Sequence, residues 1–386
     1  MLLGKEETWI VVMRPVRSPG WGIFFIATCA LYAFMGPERR VVLAALALLI
    51  VAIALVASIR PAFRQPAPYG NYTSVPGGLA PSTTVPAQTT TVPQNAKYIQ
   101  VFGVVVHDFY AQTNYSMGQG VKEFRTGLYL DPVQEAEVAN ETRTGASYLG
   151  ITGAGQAQGW TLSDYNGTLG QEIAAYPEVQ YLEVLNEPWS TKNQDGFNNG
   201  SAYNYFLIIR STYLLSKAAN PNITLVCFGG AAIDNASERL WYSQVWGYGA
   251  SKYCDAVSIH AYTGNGRLLN ATGRLGQTLA QNWAQDLYWY ENLTGKPIWI
   301  TETGQISDVL TGNGPRASLV NQSLYLNQSF SLFASLPFVK RVYWYDLYGI
   351  SDAPIDRDFG LLNLSTSLPK PAWYTFLGFY RNGVQG

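Results

Sequence analysis

Charge is scarce in this sequence. Asp, Glu, Lys and Arg make up 13% of its 386 residues, with 25 basic groups against 26 acidic ones and a formal net charge of −1. That is about half the usual charged share. No basic tract follows the N-terminal region, which excludes a nucleic-acid binder that works by displacing counterions. Histidine is scarcer still, with only His107 and His260. The three cysteines, Cys29, Cys227 and Cys254, show neither metal-ligand spacing nor a disulfide framework, which excludes a zinc or iron–sulfur centre. What the chain has instead is apolar bulk: 47% hydrophobic residues, enough for a large core and too much for global disorder. Aromatics reach 14%, with 26 Tyr and 11 Trp. Few charges and many rings suit a protein that handles neutral, ring-shaped ligands, although a rich core has the same composition.

Two uncharged runs lie near the N-terminus, at 21–36 and 41–59. The second spans about 28 Å as a helix, which matches a bilayer core of about 30 Å, while the first, at about 24 Å, is marginal. Arg39 and Arg40 between them predict a cytoplasmic connection and an external C-terminal bulk. Arg14 and Arg17 favour the opposite orientation if both runs span, so one span and two both stay open. Residues 61–96 follow with seven Pro, six Thr, two Ser and Arg64 as the only charge. That mixture buries no core and predicts an extended extracellular stalk of up to about 100 Å. Twelve N-x-[ST] triplets occur where composition predicts about three. They start at Asn71, Asn114, Asn140, Asn166, Asn199, Asn222, Asn235, Asn270, Asn292, Asn321, Asn327 and Asn363. This excess predicts a glycosylated domain outside the cell, at the cell membrane or released from it by cleavage.

Residues 97–386 read as one domain. Short apolar runs at 99–106, 124–130, 147–152, 179–185, 223–229, 255–260, 297–302 and 339–346 predict eight strands. Helical stretches are predicted near 132–145, 161–176, 201–219, 237–249, 274–293, 316–336 and 371–380, with a weak first helix in 107–123. Eight strands with crossover helices in this length predict an α/β fold, a (β/α)8 TIM barrel. The competing doubly wound sheet needs a Gly-rich phosphate loop after its first strand, and His107-Asp108-Phe109-Tyr110 is not one.

Barrel chemistry belongs to the carboxyl ends of the strands. In strand order that rim carries His107, Arg125, Asn186-Glu187-Pro188, His260-Ala261-Tyr262, Glu302 and Trp344. Alternation predicts one inward face holding Tyr181, Glu183, Leu185 and Glu187, another holding Ser258, His260 and Tyr262, and a third holding Ile298, Ile300 and Glu302. Glu187 and Glu302 thus meet in one mouth, a pairing that suits glycoside hydrolysis. One must keep its proton and the other must be ionised. Arg125 is the natural cation for Glu302, with Tyr262 as a hydrogen-bond donor to the same carboxylate. Glu183 reads as a buried charge paired within the barrel.

These segments resemble glycoside hydrolase clan A. Leu182-Glu183-Val184-Leu185-Asn186-Glu187-Pro188 is similar to the strand-four motif of families 5 and 39, and Trp299-Ile300-Thr301-Glu302-Thr303-Gly304 to the clan's strand-seven motif. Phe124-Arg125-Thr126-Gly127, His260-Ala261-Tyr262 and Trp344 match the family sites more loosely. The end of strand three, Ser147 to Gly153, lacks the His of family 5. The resemblance implies a retaining hydrolase of β-linked oligo- or polysaccharides, with Glu187 as acid/base and Glu302 as nucleophile. It further implies Asn186 on the sugar 2-hydroxyl, His260 as an orienting group and Trp344 as a stacking floor, with no metal or organic cofactor. Trp160, Trp189, Trp241 and Trp246 are candidates for further subsites or for core packing. A non-catalytic glycan-binding protein on the same scaffold would not need both carboxylates. A transglycosylase would use the same pair, and the oligomeric state is not legible.

Overall fold

The computed structural model describes residues 100–383 apart from 108, 154–159, 190–200, 264–266, 308–317, 350–357, 364–365 and the side chains of 109–112. The apolar runs 21–36 and 41–59 and the stalk 61–96 lie outside the described residues. Among the described residues, no helix is long and apolar enough to cross a membrane.

Eight strands, β1 Val101–Val105, β2 Glu123–Gly127, β3 Ser147–Ile151, β4 Tyr181–Glu183, β5 Thr224–Ala232, β6 Ala256–Ala261, β7 Ile298–Thr303 and β8 Val339–Trp344, close into a barrel in sequence order. Each pairs in parallel with its neighbours, and β8 returns to β1. The helices are α1 Phe109–Gly118, α2 Pro132–Arg143, α3 Leu162–Ala175, α4 Ala202–Ala219, α5 Ala236–Gly247, α6 Leu279–Thr294, α7 Leu319–Ala334 and α8 Pro371–Gly383. This is the expected (β/α)8 barrel.

Local chemistry sets where the helices start. Asp131 caps α2 ahead of Pro132, and Thr161 and Thr278 form reciprocal capping boxes with Asp164 and Gln281. The last cap explains why α6 begins at 279 rather than near 274. Residues 272–278 are closed into a loop by a Thr272–Thr278 bridge, so the helix waits for Thr278. The weak first helix is a full ten-residue element. Its glycines fall at the end, where Gly120 at φ 89° terminates α1 instead of interrupting it.

Two apolar layers follow from strand alternation. Val105, Leu149, Val226, Ala256, Trp299 and Tyr343 fill the barrel, while Phe102, Val104, Leu182, Val257, Ile298, Ile300 and Val342 pack under the helices. Gly103 lacks a side chain for a reason: a Cβ there would stand 2.6 Å from the Tyr343 ring. Arg341 lies 4.2 Å from the Tyr181 ring centre and 4.8 Å from that of Trp299, and pairs with Glu123 at 2.8 Å. The interior is therefore a packed core and not a pore.

One feature corrects the cysteine reading. Cys227 on β5 and Cys254 just before β6 form a disulfide. Their 27-residue separation is that of one strand–helix–strand passage. A single bridge between neighbouring strands leaves no spacing pattern of the kind a multi-bridge framework shows.

Candidate active site

Backbone irregularities carry the site, and each one aims a side chain. On β2, plain alternation points Arg125 inward. On β4 the regular strand stops at Glu183, and Leu185 and Glu187 take positive φ values of 60° and 45°. Left-handed backbone at non-glycine residues costs about 1–3 kcal/mol each, so the turn must be held from outside. Leu185 N donates to Thr152 Oγ1 at 3.3 Å and Glu187 N donates to the Gly229 carbonyl at 2.5 Å. Leu185 thereby swings into the layer beneath the helices, and not into the mouth as alternation predicts. On β7, Ile259 and His260 of β6 face Ile300 and Glu302, so one residue is extra. Trp299 points inward, with Ile298 and Ile300 outward, which reverses the expected face. The extra residue turns Glu302 back into the mouth, a known use of bulges beside active sites.

On β5, four residue steps from Cys227 to Ala231 face two on β6. Phe228, Gly229 and Gly230 there all have positive φ. A Cβ on Gly230 would lie 2.2 Å from His260 Nε2, and one on Gly229 2.7 Å from the Leu185 carbonyl. The bulge therefore forms the wall against which His260 is oriented, and only glycine fits it.

These elements bring the polar groups together around Arg125, which is 1% exposed. Its Nε donates to Glu183 Oε2 at 2.6 Å, Nη1 to Glu302 Oε1 at 2.6 Å and Nη2 to Asn186 Oδ1 at 2.9 Å. Tyr262 donates to Glu302 Oε2 at 2.7 Å. His260 Nδ1 lies 3.0 Å from Glu187 Oε1 and 3.5 Å from Glu302 Oε2. Burial alone would raise the Glu302 pKa, but His260, Arg125 and the Tyr262 hydroxyl outweigh it and hold the carboxyl below its ordinary value. Burial likewise works against the His260 cation, and the Glu302 and Glu187 carboxylates overcome it and raise its pKa. Glu302 is thus ionised deep in the mouth. Glu187, half-buried at the rim, is partnered by a histidine rather than by a guanidinium.

Every predicted site residue except Trp344 lines this region. His107 stands at the end of β1, its side chain 35% exposed, 3.8 Å from Asp346 and edge-on to Tyr345. Trp344 is a correction. Inward positions on β8 are Arg341 and Tyr343, so Trp344 points outward, is fully buried against Tyr325 and Phe330, and donates to the Phe359 carbonyl. It offers no face to a sugar. The ring in the mouth is Tyr345, next in alternation, whose neighbours are Tyr262, His107 and Phe359. Trp241 stacks on Tyr205 and Trp246 packs on Phe228, so both belong to the shell of the barrel.

Glu187, His260 and Glu302 bring one potential ligand atom each within 4.8 Å of one another, a spacing a cation could also use. Arg125 argues for a different use, because a guanidinium already neutralises Glu302 at 2.6 Å.

Replacing Arg125 with Met should show how much rests on it. Glu183 and Glu302 would be left buried and uncompensated, at a cost of about 3–5 kcal/mol near neutral pH. Glu302, with its folded pKa depressed, adds stability above its unfolded pKa that disappears as pH falls through the folded one. In Arg125→Met that contribution is absent, so the deficit should be largest at pH 7 and shrink toward pH 4. Denaturant melts across this range read it directly, and a pH-independent deficit would contradict the electrostatic role.

Comparison with known proteins gives the same picture. Residues 215–358 match the family model described as glycosyl hydrolase catalytic core, a stretch from α4 to just beyond β8 that includes His260, Tyr262 and Glu302. A search of curated proteins finds no match. Among solved structures, a family 39 glycoside hydrolase from Bacteroides cellulosilyticus is similar with a TM-score of 0.55 and 19% identity, over 74% of this chain and 64% of that one. The β-glucuronidase of Bifidobacterium dentium follows with 0.53 and 16%, over 73% and 46%. A family 2 β-galacturonidase from Eisenbergiella tayi gives 0.52 and 15%, over 74% and 51%. The chain spans less than two thirds of each of these proteins, and at such identities the likeness speaks for the fold. Fold and matched segment agree: the described chain is a (β/α)8 barrel whose residues 215–358 are similar to the glycosyl hydrolase catalytic core, with Glu187 and Glu302 paired in its mouth.

Proposed function

We propose that this protein is a retaining glycoside hydrolase that cleaves β-linked glycans outside the cell, tethered to the membrane by its N-terminal apolar segment. The observation that carries the reading is the Glu187–Glu302 pair, with carboxylate oxygens within 4.8 Å. Retaining enzymes hold their carboxyl groups about 5–5.5 Å apart, whereas inverting ones leave about 6.5–9.5 Å for a water.

Glu302, ionised by Arg125 and hydrogen-bonded by Tyr262, attacks the anomeric carbon and forms a glycosyl-enzyme. Glu187 protonates the departing oxygen, then takes a proton from the water that releases the sugar. Arg125 occupies the Asn186 carbonyl oxygen at 2.9 Å, leaving the amide nitrogen as donor for the sugar 2-hydroxyl. His260 bridges the two carboxylates and fixes their relative position. Tyr345 takes the stacking role expected of Trp344.

Three features support the external location. The disulfide fits an oxidising compartment. The Pro/Thr-rich stretch at 61–96 has the composition of a stalk. Of the twelve acceptor asparagines, Asn114, Asn140, Asn222, Asn270, Asn292 and Asn363 are exposed. Asn235 is not suited to a glycan, since its Nδ2 donates to Glu238 at 2.8 Å and its Oδ1 caps α5. Protease applied to intact cells should cut within 61–96 and release an active fragment bearing glycans on exposed sites and none on Asn235. Protection of that stretch, or a fragment without any glycan, would overturn the location.

The roles of the carboxylates separate with azide. Glu187→Ala should accumulate the glycosyl-enzyme on a substrate with a good aryl leaving group, and azide should release it as the β-glycosyl azide through two inversions. Glu302→Gly should give the α-azide through one. Exchanged products, or near-normal rates in both variants, would refute the assignment.

A further inference from the structure

A buried tyrosine answers two demands. Its ring fills space as phenylalanine would, but its hydroxyl must find a partner away from water. The place of that partner says what the hydroxyl is for. Tyr205 on α4 and Tyr242 on α5 are both sealed from solvent, and their rings pack in the layer between helices and barrel.

Their hydroxyls meet at one residue, Phe228, in the bulge of β5. Up to Val226 the β4–β5 ladder is regular: Thr224 N donates to the Gln180 carbonyl at 2.8 Å and Val184 N to the Val226 carbonyl at 3.0 Å. The next rung of a parallel ladder would join the Phe228 amide to the Val184 carbonyl. The Tyr205 hydroxyl stands in that rung instead. It donates to the Val184 carbonyl at 2.9 Å, and the Phe228 backbone hydrogen-bonds to the same oxygen. The Tyr242 hydroxyl donates to the Phe228 carbonyl at 2.5 Å. Phe228 is thus held on both sides of its backbone at φ 79°, a conformation that a bulky residue rarely adopts. Its ring lies against that of Tyr242, with centres 4.5 Å apart.

The two residues after Phe228 touch the site. Gly229 presents its carbonyl to the Glu187 amide, and Gly230 lies against the His260 ring. Resting on the hydrolase reading above, we propose that Tyr205 and Tyr242 are positioning residues for the acid/base: from behind the barrel wall they hold the β4–β5 ladder open at Phe228 and so fix where Glu187 and His260 stand. Without the Tyr205 hydroxyl, the Phe228 amide and the Val184 carbonyl are free to bond directly, the ladder runs on, and the Gly229 carbonyl is drawn off the Glu187 amide. Glu302, on β7, is held by Arg125 and Tyr262 from other strands. The defect therefore falls on proton donation more than on nucleophilic attack. The leaving group separates the two, because a dinitrophenolate departs with little protonation and a phenolate needs it.

The test compares full-length Tyr205→Phe and Tyr242→Phe with the unaltered protein, on dinitrophenyl and phenyl β-glycosides of a sugar that the unaltered protein cleaves. Tyr380→Phe is the control, since this buried tyrosine accepts from Lys122 N at 2.9 Å, ahead of β2 and at the far end of the barrel. The expected kcat/KM falls by about 10–100-fold on the phenyl glycoside and by less than about threefold on the dinitrophenyl one. Tyr380→Phe should show no such split. Hydrogen exchange at the Glu187 amide, read by mass spectrometry on the peptide that contains it, should accelerate in the two site variants and not in the control. Equal losses on both substrates, unchanged kinetics, or an unchanged Glu187 amide overturn this inference and leave the hydrolase reading intact. If one variant does not fold, the other decides, because both hydroxyls hold the same residue. If neither folds, the hydroxyls serve folding alone and the inference falls. Turnover of no glycoside by the unaltered protein overturns the hydrolase reading, and this inference with it.

Discussion

The site depends on one buried guanidinium. Arg125 holds two carboxylates at 2.6 Å each, Glu183 below and Glu302 above, in a place where all three are nearly sealed from water. Moving such ions out of water costs several kcal/mol each, and the attraction offsets that only if the geometry is good and the remaining hydrogen-bond positions are filled. A planar fork with five donors can meet this demand, and a lysine ammonium cannot. The cluster is therefore a weak source of stability and a strong source of position. It fixes Glu302 as an anion, orients Asn186 through the third nitrogen, and places the positive edge of the group against His260.

The rest of the barrel adapts to that arrangement. Regular strands present every second residue to the interior, which with Trp299 inward would leave Glu302 facing the helices. An extra residue in β7, two in β5 and a left-handed turn after β4 set where Glu302, His260 and Glu187 point. The irregularities interlock: the Gly229 carbonyl receives the Glu187 amide, and Gly230 lies against the ring that touches Glu187. Strain in the β4 turn is thus held by the bulge of β5, and that bulge is possible because two glycines stand side by side. Sites built this way on strand ends are more rigid than loop sites.

The sequence discloses the scaffold well and the aim of its side chains less well. Strand six was expected at 255–260 and runs Ala256–Ala261, and strand seven at 297–302 and runs Ile298–Thr303. Apolar runs between capped helices are a strong signal because burial on both faces demands them. The motif residues Asn186, Glu187 and Glu302 stand out for their chemistry, whatever the backbone does around them. Alternation fails where a residue is inserted, since a bulge leaves no mark in composition. The insertion in β7 thus turns Ile298 and Ile300 outward and the left-handed turn after β4 does the same to Leu185, whereas Trp344 was expected in the mouth from the resemblance at strand eight and Tyr345 stands there instead. Phe228-Gly229-Gly230 was a legible sign of irregular backbone inside a strand. The disulfide was hidden for another reason: its partners are neighbours only through the barrel.

As the proposed nucleophile, Glu302, charged by Arg125, would form a covalent bond to the sugar. Once an aryl substrate is identified, its 2-deoxy-2-fluoro analogue with a good leaving group forms the bond but slows its hydrolysis. Intact-mass spectrometry followed by peptide mapping should then find one fluoroglycosyl group per chain, on the peptide containing Glu302. A label on Glu187, or no label from an enzyme whose first-formed product is inverted, would contradict the account.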